Sequence, residues 1–394
     1  MKEKNDDHSI PTIRLKGQFA TALVYARTVD ENAITQIVSL CNQPFSEGTH
    51  IRVMPDVHSG AGCVIGLTMD LNRSDAVCPN LVGVDIGCGV RVSELGVTPI
   101  NLQQLDKDIR ESVPSGQNVH RHTFPEDRDF FYSLFNDLII KDQIKSREKM
   151  GWLERSLGTL GGGNHFIEVD VDEEGRSYLT VHTGSRHFGL TVAQLYQAKA
   201  ASKMQQNGEA RRSRAKGTPK DLAYLTGSDR NNYLHDIRLI QTYAKRNRER
   251  IAERILQKMG LKELASFESV HNYIDEKNIL RKGAIAAHVG QPVIIPLNMR
   301  DGCILGTGKG NPEWNWSAPH GAGRLMSRRE AKRILSIDEF RDQMKGVFST
   351  CVDRTTIDES PMVYKAMEEI LPVLGQTVDV RRIIRPIYNF KAAE

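Results

Sequence analysis

The stretch "LVGVDIGCGVRVSEL", residues 81–95, sets two runs of Leu and Val on either side of a bend carrying Gly83, Gly87 and Gly89. Runs of this kind read as strands, and glycine supplies the positive φ or close backbone approach of a tight bend. The pattern recurs in "HIRVMPDVHSGAGCVIGLTMDL" (50–71), where glycine and Pro55–Asp56 break the apolar runs, and in "LGTLGGGNHFIEVDV" (157–171) and "SYLTVHTGSRHFG" (177–189). Further β-like blocks are "GAIAAHVGQPVIIPLNM" (283–299) and "DGCILGTG" (301–308). Helical spacing occupies 31–41, most of 101–157 around a polar loop at 112–127, a charged segment at about 190–260, and the chain from about Gly321. Strands and helices come in mixed blocks without strict βαβ alternation, which predicts an α+β fold. With no internal repeat and no Pro-, Gly- or Ser-rich linker, residues 1–394 read as a single large domain. Mixed β-sheets surrounded by helices would enclose a central cleft.

Composition bounds the function. Of 394 residues, 39% are hydrophobic and 26% charged, the proportions of a soluble globular protein. Aromatics at 6% argue against long stacking platforms, and a net charge of +4 tolerates an anionic partner without demanding one. The six cysteines form no CxxC pair, so neither a disulfide framework nor a paired-cysteine zinc site is expected. The N-terminus lacks an apolar signal core, and no run nears the ~18 apolar residues of a membrane span. These features predict a reduced, cytoplasmic protein without membrane contact.

The chemistry-bearing residues cluster in the glycine-dense bends, with Asp56 and His58, Asp85 and Cys88, Asn164, His165 and Glu168, and His182 and Arg186, joined by His271 in "VHNY". Bends on a rigid scaffold are where functional groups are presented. Sulfur, oxygen and nitrogen donors in one set suit a borderline divalent ion such as Zn²⁺, Mn²⁺ or Co²⁺. A lone histidine or a buried cysteine is more often structural; repetition across four short stretches favours ligation. In "SAPHGAGRLMSR" (317–328), a helix over 321–334 would put Arg324 and Arg328 on one face, with His320 at its N-terminus. Free N–H groups and arginine forks there would attract phosphate. The bland alternative is a solvated basic face. "GTGKGN" (306–311) fails the P-loop pattern, because Cys303 stands for its first glycine and Gly310 follows Lys309.

Taken in order, "MPDVHSGAG", "VGVDIGCG", "LGTLGGGNHFIE", "HTGSR", "HNY", "RKGA" and "HGAGRLMSR" resemble the motifs of the RtcB family of RNA ligases, from about residue 50 to the C-terminus. The resemblance implies joining of RNA 3′-phosphate or 2′,3′-cyclic phosphate ends to 5′-hydroxyl ends, with GTP as co-substrate and two Mn²⁺ ions. The partners would be broken tRNA, rRNA or mRNA; the sequence names no activating protein. Residue by residue, it implies His320 as the guanylylated nucleophile and Asp85, Cys88, His165, His182 and His271 as manganese ligands. It further implies Asn164, Glu168, Asn298, Arg324, Tyr364 and Lys391 at the nucleotide. Arg186 and Arg328 would handle phosphate, and Asp56 would lie near the reacting RNA end.

The sequence departs from that pattern at "IIPLNMRDGC" (294–303). Leu297, Asn298, Arg300 and Cys303 stand where Gly, Ser, Gly and Ser are usual. "HSGAG" lacks the usual lysine, and the loop at 113–122 adds His120 and His122. These departures motivate an alternative, a metal-dependent RNA-end phosphatase or cyclic phosphodiesterase that needs no GTP. A third reading is a non-catalytic binder of RNA ends. The basic segment "ARRSRAKGTPKD" (210–221) is a candidate accessory RNA contact or a solvated loop.

Overall fold

A computed structural model describes residues 12–144, 146–206 and 218–392. Most of the basic segment at 210–221 therefore lies outside the described residues.

The chain begins with β1 (Ile13–Lys16), β2 (Thr21–Val24) and α1 (Glu31–Cys41). Asp30 starts α1 by accepting the Ala33 N–H, a side-chain cap on an otherwise orphaned donor. There follow β3 (Ile51–His58), β4 (Ile65–Asp70), β5 (Ala76–Val77) and β6 (Gly89–Gly96). The bend at 81–95 is a strand on its second side only. Its first side enters through a 3₁₀ turn at Pro79–Leu81, where proline's fixed φ favours a turn and denies the ladder a donor. Pro55–Asp56 does not end its strand: β3 runs through both, and the register with β4 shifts between Val53 and His58.

Three helices follow, α2 (Leu102–Ser112), α3 (Pro125–Asp137) and α4 (Arg147–Glu154), then β7 (Phe166–Val171) and β8 (Ser177–Thr183). Helix α5 (Arg186–Gln206), β9 (Leu225–Thr226) and the 33-residue α6 (Gly227–Met259) come next. The buried side of α6 carries Tyr233, Ile237, Ile240, Ala244, Ile251 and Ile255, the 3–4-residue recurrence of a helix packed along one stripe. Gly260, at φ 63°, closes it in the left-handed conformation that glycine adopts without strain. The remainder is β10 (Ala265–Val270), β11 (Asn272–Ile274), β12 (Ile279–Lys282), β13 (Ala284–Ala286), β14 (Pro292–Asn298), β15 (Gly302–Gly308), β16 (Ser317–Pro319), α7 (Arg328–Ile334), α8 (Ile337–Gln343), α9 (Met367–Leu374) and β17 (Val378–Lys391).

The architecture is α+β, as the mixed blocks predict. A six-stranded sheet runs β1-β2-β3-β4-β12-β11 and a seven-stranded sheet runs β10-β6-β8-β7-β17-β15-β14. Only β2 and β3 pair in parallel within the former, while every pairing in the latter is antiparallel. The two ends of the seven-stranded sheet approach each other, the Ile294 N–H on β14 donating to Ser269 Oγ on β10 at 3.0 Å, so the sheet curls almost into a barrel. Strand β17, 14 residues long, sits inside it between β7 and β15. Proline counts against a central strand, and Pro386 is accommodated where the register with β7 shifts between Pro386 and Tyr388. No helix among the described residues is long and apolar enough to cross a membrane.

Candidate functional site

Four chain segments converge where the two sheets meet. The turn after the 3₁₀ helix brings Asp85 and Cys88, the loop before β7 brings His165, the end of β8 brings His182, and the residue between β10 and β11 is His271. Cys88 Sγ lies 3.4 Å from Nε2 of both His165 and His182. His182 Nε2 lies 3.4 Å from His271 Nε2, and His165 Nε2 lies 3.0 Å from Asp85 Oδ2. Gly184 permits this closeness: a Cβ there would fall 2.1 Å from Asp85 Oδ1.

The protons of this cluster can be placed. His165 Nδ1 meets Leu160 O at 2.9 Å and His182 Nδ1 meets Asn164 O at 3.0 Å. A carbonyl only accepts, so each Nδ1 carries a hydrogen; on neutral His182 this leaves Nε2 with the lone pair, while His165 Nε2 faces Asp85 Oδ2. Burial holds His182 and His271 neutral, their pKa values well below the ordinary histidine range. Burial, then Asp85, push the Cys88 thiol upward, against the pull of Arg248. For Asp85, burial works against ionisation, but the hydrogen bond and charge of His165, with Arg186, hold its carboxyl well below the usual range. Converging nitrogen, sulfur and oxygen donors make a cation's environment. Cys88, His165 and His182 offer ligand atoms all within 4.8 Å of one another, a nitrogen–sulfur set with a carboxylate alongside.

His320 stands at the edge of this cluster, its ring centroid 5.0 Å from that of His271. It does not head a helix. Residues 321–327 form a turn, and α7 starts only at Arg328, where Ser327 Oγ accepts the Glu330 N–H. The Ser-x-x-Glu cap was the signal for that later start. His320 follows β16 and is fixed instead by Asp56, whose Oδ2 accepts from His320 Nδ1 at 2.7 Å and from the His320 N–H at 3.1 Å. Asp56 is fully buried, behind His320 and away from the cavity surface. Gly323, at φ 79°, lets the "HGAGR" turn lie against it, since a Cβ there would sit 2.9 Å from Asp56 O.

A cavity of about 360 Å³ opens beside these groups. Of the residues read as nucleophile, metal ligands or nucleotide and phosphate contacts, all but Asp56, His165 and Arg186 line it. Asp56 and His165 lie behind residues that do. Arg186 lines a second cavity of about 260 Å³ that shares Asp85 as a wall, its Nη2 donating to Gly116 O at 2.8 Å. Glu168 contributes a carboxyl group to the wall of the larger cavity. Burial, then the charge of Asp170, push Glu168 far above the ordinary carboxyl range, and Cys303 Sγ lies 3.9 Å from Glu168 Oε2. Asn298 lines the cavity, but its side chain serves its own turn, Oδ1 accepting the Arg300 and Asp301 N–H groups at 3.0 Å each. Leu297 is buried and packs among Ile295, Ile304 and Ala322.

Glu359 organises the cationic wall and carries no sequence signal for that role. It accepts from Arg328 Nη1 at 2.6 Å, Tyr364 OH at 2.7 Å, Lys391 Nζ at 3.0 Å and Arg324 Nη1 at 3.2 Å. Burial raises its pKa, but Lys391, Arg328 and Arg324 outweigh burial and bring it to about 2.

The fold and site define a protein that gathers sulfur, nitrogen and oxygen donors beside a cavity walled by cations and a carboxylate-held histidine. The family described as tRNA-splicing ligase RtcB matches residues 36–392, and the chain belongs to it. Among curated relatives, the RNA-splicing ligase RtcB of Escherichia coli strain K12 is 32% identical over 403 positions, covering 92% of this chain and 95% of that protein. The tRNA-splicing ligase RtcB of Aeropyrum pernix is 29% identical, covering 85% and 86%. The RNA-splicing ligase RtcB homolog 1 of Entamoeba histolytica is 27% identical, covering 84% and 78%.

Proposed function

We propose that this protein is an RNA ligase that seals a 3′-phosphate or 2′,3′-cyclic phosphate end to a 5′-hydroxyl end, using GTP and Mn²⁺ and passing through a guanylylated His320. The observation that carries the reading is the pairing of His320 Nδ1 with buried Asp56 beside the donor cluster. That bond commits Nδ1 as a donor, so Nε2 is the nitrogen free to attack, and the aspartate stabilises the positive charge that develops on the ring.

Nε2 attacks the α-phosphorus of GTP; an N–P bond forms and pyrophosphate leaves. An oxygen of the RNA 3′-phosphate then takes the guanylate from the ring, giving RNA(3′)pp(5′)G. The 5′-hydroxyl attacks the 3′-phosphorus, closing the strand and releasing GMP. A cyclic end must first be opened by water. Asp85, Cys88, His165, His182 and His271 would hold the two metal ions, which when bound neutralise phosphate oxygens and lower the pKa of water. Glu168 and Lys391, at one end of the cavity, suit the donor and acceptor edge of guanine, and Arg324 and Tyr364 its flank. A metal-bound thiolate needs reducing conditions, which agrees with six free cysteines and with a cytoplasmic location.

Incubation with Mn²⁺ and α-labelled GTP under reducing conditions tests the reading. The protein becomes labelled and His320→Ala does not; a wild-type protein that stays unlabelled defeats it. The engagement of the Asn298 side chain with Arg300 and Asp301 of its own turn favours the second reading, end processing without GTP. Opening of a cyclic phosphate on a cleaved RNA stem–loop at the same rate with and without GTP, and no joined product, would select it.

A further inference from the structure

We infer that Asn247 and Arg248, neighbours in the middle of α6, are positioning residues that set the spacing of the metal-binding side chains. The inference rests on the proposed metal role of Asp85, Cys88, His165, His182 and His271. Both residues are fully buried in a stripe otherwise dominated by apolar and aromatic side chains. Burying a guanidinium is costly unless it is paired and hydrogen-bonded, and an apolar residue would pack the helix at less cost.

Their bonds go to the segments that carry the donors. Arg248 Nη1 donates to Gly87 O at 2.7 Å, between Asp85 and Cys88. The same nitrogen donates to Thr183 O at 2.9 Å, one residue past His182. Arg248 Nε donates to Glu268 Oε2 at 3.0 Å, on the strand that leads into His271. Asn247 Oδ1 accepts the Gly158 and Thr159 N–H groups at 2.7 and 3.2 Å, and its Nδ2 donates to Thr159 O and Gly184 O at 3.1 and 3.0 Å. Leu160, the next residue along, supplies the carbonyl that fixes His165. One step of one helix therefore ties together every segment that contributes a donor. Such outer-shell bonds fix the orientation of ligands, and their loss typically weakens metal affinity 10–100-fold.

Arg248→Lys tests this in the full chain with Co²⁺ as the probe. An ammonium on a flexible stem lacks the planar fork that serves two carbonyls and Glu268 together. Co²⁺ affinity, measured by competition with a chelator, should fall at least about tenfold. The thiolate-to-cobalt absorption band of the wild type should shift or weaken. A merely structural role would lower the thermal midpoint of the metal-free protein and leave the affinity and band of the folded protein unchanged; that result overturns the inference. Should Arg248→Lys fail to fold, Glu268→Gln decides, its site being partly exposed. A fall in Co²⁺ affinity there supports the inference and wild-type affinity overturns it. A wild-type protein that shows no thiolate–cobalt band defeats the metal reading itself, an outcome distinct from failure of the positioning role.

Discussion

The Asp56–His320 pair gives the sharpest test of the proposed chemistry. Asp56 Oδ2 accepts two hydrogen bonds from His320, one from the ring and one from the backbone, while Oδ1 is buried with no partner. Asp56→Asn can keep both bonds by placing its amide oxygen at the Oδ2 position. What it loses is charge: a hydrogen bond to an ionised group contributes about 1.5–3 kcal/mol, against roughly 0.5–1.5 kcal/mol between neutral groups. The difference of about 1–1.5 kcal/mol predicts a tenfold slower attachment of guanylate. The new amide N–H₂ falls where Oδ1 was, buried and unpaired, and should destabilise the fold by about 1–3 kcal/mol. Asp56→Ala removes both bonds and frees the ring to turn, so the loss should reach about 3 kcal/mol or more, at least a hundredfold in rate. The assay is the initial rate of labelling by α-labelled GTP at saturating Mn²⁺ and fixed pH, with folding checked by circular dichroism. The order wild type, Asn, Ala should hold with those intervals. If both variants label within threefold of wild type, the aspartate does not support the nucleophile and the mechanism drawn from this bond is wrong.

Other outcomes are as definite. Glu359 has a folded pKa of about 2, below its ordinary value, so the stability it contributes is present above about pH 4.5 and lost as pH falls through 2. The shift is worth roughly 3 kcal/mol, and urea unfolding of Glu359→Gln should lack that acid-side decline while being less stable at pH 7, because Arg324 and Lys391 lose their carboxylate and Arg328 keeps only Asp358. His182 and His271 are held neutral by burial and Cys88 is held as a thiol, so metal capture at pH 7 should release the Cys88 proton. Calorimetry in buffers of different ionisation enthalpy measures it, and Cys88→Ser should lower the release by about one proton. Leu297→Ala should cost about 2–5 kcal/mol in urea unfolding, as a core leucine does; a cost below 1 kcal/mol would show that Leu297 lines the cavity without supporting the core. RNA binding should weaken linearly in log–log plots against salt, as expected for phosphate contacts through Lys and Arg.

Local chemistry was legible where it is written in short motifs. The glycine-dense bends that carry Asp85, Cys88, His165 and His182 could be read as presenting donors, because glycine spacing constrains the backbone locally; His271 stands in "VHNY", which has no glycine. The position of His320 could not be read in the same way. Its neighbours suggested a helix from Gly321, but the Ser327–Glu330 cap begins the helix seven residues later, and a buried aspartate from β3 holds the ring instead. Tyr364 and Lys391 were implied by family resemblance alone. Glu359, which joins them to Arg324 and Arg328, had no sequence signal, since its four partners are brought together only by folding.

From sequence alone came the α+β class, the donor inventory and the family likeness, because periodicity and motif spacing are properties of neighbouring residues. Tertiary structure decided which donors face one another, which carboxylate holds the His320 imidazole, and that a proline-bearing C-terminal strand lies inside the large sheet. Those outcomes depend on contacts between residues far apart in the chain, and local propensity carries no information about such distances.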